Sequence, residues 1–136
     1  MMDTEPVILG VAMNTKPKRV LLVDDDQQIL ESLQFALRER GYEVLLAHDG
    51  KEGLIRAERD APDLVVLDMM MPKRSGFVVL DRLRSSTHRH PKIIMMTGND
   101  DVRHQQFAES RGVDAFIKKP FELQVLLAVV DSLIVG

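Results

Sequence analysis

Cysteine is absent from the 136 residues, which excludes disulfides, thiolate metal sites and a cysteine nucleophile, and fits a reducing compartment. Also missing is any apolar run long enough to cross a bilayer. No concentrated Lys/Arg stripe appears, and a net charge of −3 with pI near 5.8 argues against direct DNA binding, because gripping a phosphate backbone needs a basic surface. The N-terminus lacks the basic start and small-residue cleavage site of a secretory signal, carrying Asp3 and Glu5 before a short apolar run from Val7 to Met13. A cytoplasmic location without membrane attachment is the expectation. What is present is 45% apolar residues and 29% charged residues of both signs, enough for one domain with a sizeable core.

Residues 1–18 read as a flexible extension, since Pro6, Gly10, Asn14 and Pro17 interrupt any regular element. From Arg19 to Gly136 short aliphatic runs alternate with helix-length segments. The runs Val20 to Val23, Val44 to Leu46, Leu64 to Leu67, Ile93 to Met96 and Ala115 to Ile117 are continuous rather than alternating, as in strands buried on both faces of a parallel sheet. Ile29, Leu30, Leu33 and Leu37 recur at helical spacing, with Gly41 as the stop. Leu54 with Ala57, and Phe77 with Leu80 and Leu83, give shorter stripes. The alternation of strand and helix predicts an α/β fold with helices on both faces; a doubly wound five-stranded sheet of order 2-1-3-4-5 is assumed, which would set the first and third strands side by side.

Ligands of open parallel sheets bind along the carboxyl edge of the strands, so the residues that end each strand matter most. They are Asp24, Asp25 and Asp26 after the first, Asp68 after the third, Thr97 after the fourth, and Lys118, Lys119 and Pro120 after the fifth. Gathered together, the carboxylates outnumber the available ammonium. At about 4 Å and an effective dielectric near 20, each carboxylate pair repels by roughly 4 kcal/mol. A divalent cation would offset this, and oxygen ligands without His or Cys favour Mg²⁺ or Mn²⁺ over Zn²⁺. A carboxylate nucleophile, a cation, a lysine and a hydroxyl are the parts of phosphoryl transfer, with Asp68 the best-placed nucleophile. The bland alternative for each residue alone is a cap or a solvated loop end.

The segments VLLVDDD at Val20 to Asp26, LVVLDMMMPKRSG at Leu64 to Gly76, MMTG at Met95 to Gly98 and FIKKPF at Phe116 to Phe121 together resemble a response-regulator receiver domain, from Arg19 to Gly136. The resemblance implies a flavodoxin-like fold and a phosphoacceptor at Asp68. It implies Mg²⁺ held by Asp24 and Asp25, with Asp25 the direct ligand, Asp26 a bystander, and the backbone carbonyl of Met70 completing the protein's ligands. Thr97 resembles the hydroxyl that meets the phosphoryl oxygen, with Gly98 leaving room for it. Lys119, before a cis Pro120, resembles the family lysine, and Phe116 the aromatic switch residue, without the hydroxyl of the commoner tyrosine. The alternative for Phe116 is a plain core ring.

The implied phosphoryl donor is a histidine kinase or a histidine phosphotransfer protein, and the domain would catalyse only its own phosphorylation and dephosphorylation. The segment from Asp101 to Arg111 has only Val102, Phe107 and Ala108 as apolar anchors, which predicts a locally unstable, switchable helix. In the last helix, Glu122 to Ile134, the stripe Leu123, Leu126, Leu127, Val130, Leu133 and Ile134 should face the sheet. A second stripe, Val125 and Val129, suggests a homodimer or partner surface, or a seat for Val7 to Met13. His88 and His90 read as surface loop, the Met69 to Met71 run as packing. Two rivals stand beside this reading. One is a degenerate receiver that only binds; the other is an aspartyl-phosphate hydrolase, for which Met70 sits where a second acid is needed. The chain ends soon after the last helix, so the expectation is either action through protein contacts or a piece of a longer regulator.

Overall fold

The computed structural model describes residues 16–71, 75–85, 90–98 and 102–134. Most of the N-terminal extension, with its Val7 to Met13 run, lies outside them, as do His88 and Asn99. Five strands alternate with five helices: β1 Arg19–Val23, α1 Gln27–Glu39, β2 Glu43–Ala47, α2 Gly50–Asp60, β3 Leu64–Asp68, α3 Gly76–Ser85, β4 Lys92–Thr97, α4 Val102–Ser110, β5 Ala115–Lys118 and α5 Leu123–Ile134. All strand pairs are parallel, in the order β2-β1-β3-β4-β5, so every strand's carboxyl end reaches one edge.

The strand interiors are apolar because alternate residues meet different helical layers. Val20, Leu22, Leu64, Val66, Ile94 and Met96 pack with Leu30, Leu33 and Leu37 of α1 and Leu126, Leu127 and Val130 of α5. Leu21, Val23, Val65, Leu67, Ile93 and Met95 pack with Val79, Leu80 and Leu83 of α3 and Ala108 of α4. α2 touches this second layer mainly through glycine: a Cβ on Gly53 would lie 2.9 Å from a Val23 methyl. Its predicted anchors Leu54 and Ala57 are only partly buried.

Helix ends follow local chemistry. Asp26 is the N-cap of α1, its carboxylate accepting from the backbone N–H groups of Gln28 and Ile29, a structural role compatible with its expected place outside the metal ligands. Asp49 does the same for α2 through Glu52. Gly41 takes φ +92° just past α1, the conformation that favours glycine there. Two expected apolar faces are corrected. Leu123, in the first turn of α5, is 36% exposed because the core stripe begins one turn later at Leu126. On α4, Val102 and Phe107 face outward and only Ala108 is fully buried.

Candidate functional site

β1 and β3 are neighbours, so the chain leaving β1 delivers Asp24 and Asp25 beside Asp68, the last residue of β3. Oxygens of these three carboxylates lie within 4.8 Å of one another. Asp24 and Asp68 are buried, and Asp25 is exposed at the rim. Asp24 is fixed in place: its backbone N–H bonds the Ala47 carbonyl at 3.1 Å, and its Oδ1 accepts from the Asp26 N–H at 2.9 Å.

Thr97 ends β4, fully buried, and its carbonyl accepts from the Lys119 N–H at 2.6 Å. That bond fixes the start of the β5–α5 connection. Lys118 points outward while Lys119 turns in, as alternation along an extended chain requires. The Lys119 Nζ lies 2.8 Å from Asp24 Oδ2 and 3.6 Å from Asp68 Oδ2. The peptide bond from Lys119 to Pro120 is cis. Phe116 sits half-buried on β5, in the cluster that also holds Phe77, Met95 and Ala108.

The electrostatics are those of crowded acids. Burial, then the charge of Asp24, pushes the Asp68 carboxyl up to about 7, against the pull of Lys119 and of the Met70 N–H that bonds it at 3.3 Å. Burial acts to lower the Lys119 pKa. The hydrogen bond to Asp24 and the nearby carboxylate charges outweigh it and hold the ammonium above the ordinary lysine value. A site that leaves one carboxyl reluctant to ionise, with only hard oxygen donors around it, fits a small divalent cation. No side-chain nitrogen or sulfur ligand joins the cluster among the described residues.

Sequence reasoning placed Asp24, Asp25, Asp68, Thr97 and Lys119 at strand ends, and all five meet on one edge of the sheet. It did not anticipate the short contact between Lys119 and Asp24, nor the linkage of His48 to Gln27 and Glu52 near the pocket's rim. The i,i+4 spacing of His48 and Glu52 was a signal that went unused, whereas nothing in the sequence points to the contact between Lys119 and Asp24, which depends on side-chain direction at the ends of different strands.

A five-stranded parallel sheet of this order, bearing an acidic cluster and a lysine where its strands end, defines a flavodoxin-like α/β domain of the receiver class. The chain belongs to the response regulator receiver domain family, whose pattern matches residues 20–131; such domains act as phosphoacceptors in two-component signalling. Its similarity to the response regulator MprA of Mycolicibacterium vanbaalenii is 42% identity over 118 residues, covering 87% of this chain and 51% of that protein. The chain thus spans about half the length of the curated relatives it matches. Similar solved structures include a CheY-like receiver domain protein of Methanospirillum hungatei, with TM-score 0.78, 34% identity, and coverage of 86% of this chain and 93% of that one. Another is the chemotaxis protein CheY4 of Vibrio cholerae, with TM-score 0.80, 29% identity, and coverage of 88% and 100%. No helix among the described residues is long and apolar enough to cross a membrane.

Proposed function

We propose that Asp68 is the phosphoacceptor, taking the phosphoryl group of a phosphohistidine on a histidine kinase or histidine phosphotransfer protein. The convergence of Asp24, Asp25 and Asp68 around one point, with Lys119 on the same edge, carries the reading. An Asp68 carboxylate oxygen attacks phosphorus; the P–N bond breaks, and the imidazole leaves with the electron pair. Asp24, Asp25, Asp68 and the Met70 backbone carbonyl would hold Mg²⁺, with Mn²⁺ as its nearest substitute. Bound there, the cation supplies charge neutralisation for the carboxylates and the phosphoryl oxygens.

The remaining work falls to side chains of the chain itself. Lys119 exchanges part of its contact with Asp24 for a phosphoryl oxygen, and the Thr97 hydroxyl donates to another. The added charge, about −1.5 to −2, shifts a conformational equilibrium in which Phe116 changes its packing. Hydrolysis of the acyl phosphate, catalysed by the domain on itself, resets it. The output runs through a downstream protein target or an output segment of a longer regulator, without direct DNA contact by this domain and in the cytoplasm. The outward Val125 on α5 supports a homodimer surface there.

Incubation with acetyl phosphate and Mg²⁺ tests the assignment. The expected product is one acid-stable, base-labile phosphoryl group on Asp68, absent with EDTA. An unlabelled wild-type protein would reduce the domain to a binding module; label elsewhere would move the acceptor.

A further inference from the structure

α4 has few direct anchors in the core: Ala108 is its only fully buried residue. It is tied sideways to α3 instead. Phe107 meets Phe77 edge-on, with ring centroids 4.7 Å apart and planes at 84°. His104 stands beside the same Phe77 ring, at 6.3 Å between centroids. Arg111, just past α4, lays its guanidinium 4.4 Å over the Phe107 ring. One of its terminal nitrogens spans both Asp81 carboxylate oxygens at 2.9 and 3.0 Å. Aromatic edges, a cation over a ring and a doubly accepted N–H form one continuous seam.

The other end of the seam is set at the acceptor strand. Phe77 is the second residue of α3, and Gly76 before it donates its N–H to the Met69 carbonyl at 2.9 Å. Gly76 lies so close to the strand end that a Cβ there would be 2.4 Å from the Asp68 carbonyl oxygen and 2.8 Å from the Met69 Cα. The first turn of α3 is therefore pressed against the backbone of Asp68. It cannot follow a shift of that backbone without moving Phe77.

We propose that Phe77 and Phe107 are positioning residues that carry the state of Asp68 through α3 to α4, a route separate from Thr97 and Phe116. The chain of contact is Asp68 backbone, Gly76, Phe77, Phe107, α4. Arg111 and Asp81 keep the two helices in register while the rings transmit displacement. This rests on Asp68 being the acceptor, although the seam itself is present without phosphorylation.

Hydrogen exchange along α4, measured with and without beryllofluoride and Mg²⁺, tests it in wild type, Phe77→Leu, Phe107→Ala, the double variant and Phe107→Tyr. Phe107 is 41% exposed, so its truncation leaves the core intact. In unmodified protein Phe107→Ala should speed α4 exchange by about 2- to 12-fold, the worth of one aromatic pair. Phe77→Leu should add little on top, and Phe107→Tyr should restore protection. With beryllofluoride, the change in α4 exchange should fall to less than half in both single variants, while acetyl phosphate labels Asp68 at the wild-type rate. A full α4 response in Phe107→Ala overturns the proposal, as do additive effects of the two substitutions. Absence of label in the wild type would instead defeat the acceptor assignment. The comparison of unmodified proteins would then decide the seam alone. The exchange Asp81→Arg with Arg111→Asp provides a second check, since restored α4 protection in the double swap over either single change is expected only of a paired contact.

Discussion

Lys119 holds Asp24 more tightly than Asp68: its Nζ is 2.8 Å from the first carboxylate and 3.6 Å from the second. Asp24 is almost wholly buried, and this ammonium is its ion-pair partner. Asp68, the proposed nucleophile, is left with the weaker hold, so the ammonium can be redirected toward a phosphoryl group on it.

Removing that ammonium strands a buried carboxylate. Lys119→Ala should cost about 2–3 kcal/mol without metal, below the range for fully buried pairs because Lys119 keeps some solvent access. Mg²⁺ should return most of the loss, since a cation replaces the missing charge, and it should still bind. The variant should then fail to change conformation with beryllofluoride. Thermal melts with and without Mg²⁺, and a beryllofluoride titration, check both halves.

Asp68→Asn should abolish labelling by acetyl phosphate and stabilise the metal-free domain. The sign follows from the carboxyl being held near 7 in the fold against an ordinary 3.8. The folded state keeps the proton better than the unfolded chain does, so the carboxyl costs stability increasingly as pH rises from about 4 to about 7 and constantly above. In EDTA at pH 8 the variant should gain on the order of 2–4 kcal/mol, shrinking toward nothing near pH 4. Saturating Mg²⁺ should narrow the gain. Urea melts at the two pH values suffice.

Tyr42 offers an unusually clean titration, because the chain has one tyrosine and no tryptophan. Burial, then the hydrogen bond its phenol donates to Asp131 at 2.5 Å and that carboxylate's charge, raises it from 10.0 to about 12. The folded state favours the neutral phenol, so its contribution is intact below pH 10 and is lost as pH climbs through 12. Tyrosinate absorbance of the folded protein should therefore appear with a midpoint near 12. A midpoint near 10 in folded protein would show that Tyr42 and Asp131 are apart in solution.

α4 should exchange its amide hydrogens faster than α1 or α5. Those two helices each bury three aliphatic residues against the sheet, whereas α4 buries one alanine. Exchange measured by peptide mass spectrometry checks this, and equal protection in all three helices would contradict it.

The strands and the strand-end residues were legible because a sheet covered on both faces demands continuous aliphatic runs, and parallel connections force their ends together. That Asp26 caps α1 was legible only as the general alternative of a cap, since an acid next to an acidic pair carries no mark of its direction; only the Gln28 and Ile29 amides reveal it. Leu123 and Val102 were misassigned because helical spacing does not say where along a helix the sheet begins. The α3–α4 seam stayed hidden for a further reason. Phe107 and Phe77 are thirty residues apart, and each reads as an anchor of its own helix, so nothing in the sequence points to their contact with one another.

Two glycines flank the acidic pocket and face opposite fates under mutation. Gly98, past Thr97, has no atom of the described residues within 4 Å of where a Cβ would point, whereas Gly76 has no space for one at all. A library randomised at both codons and selected for folding alone should thus return many amino acids at the first and glycine alone at the second, while selection for phosphoryl transfer should narrow the first as well, a difference in latitude written by a single missing carbon.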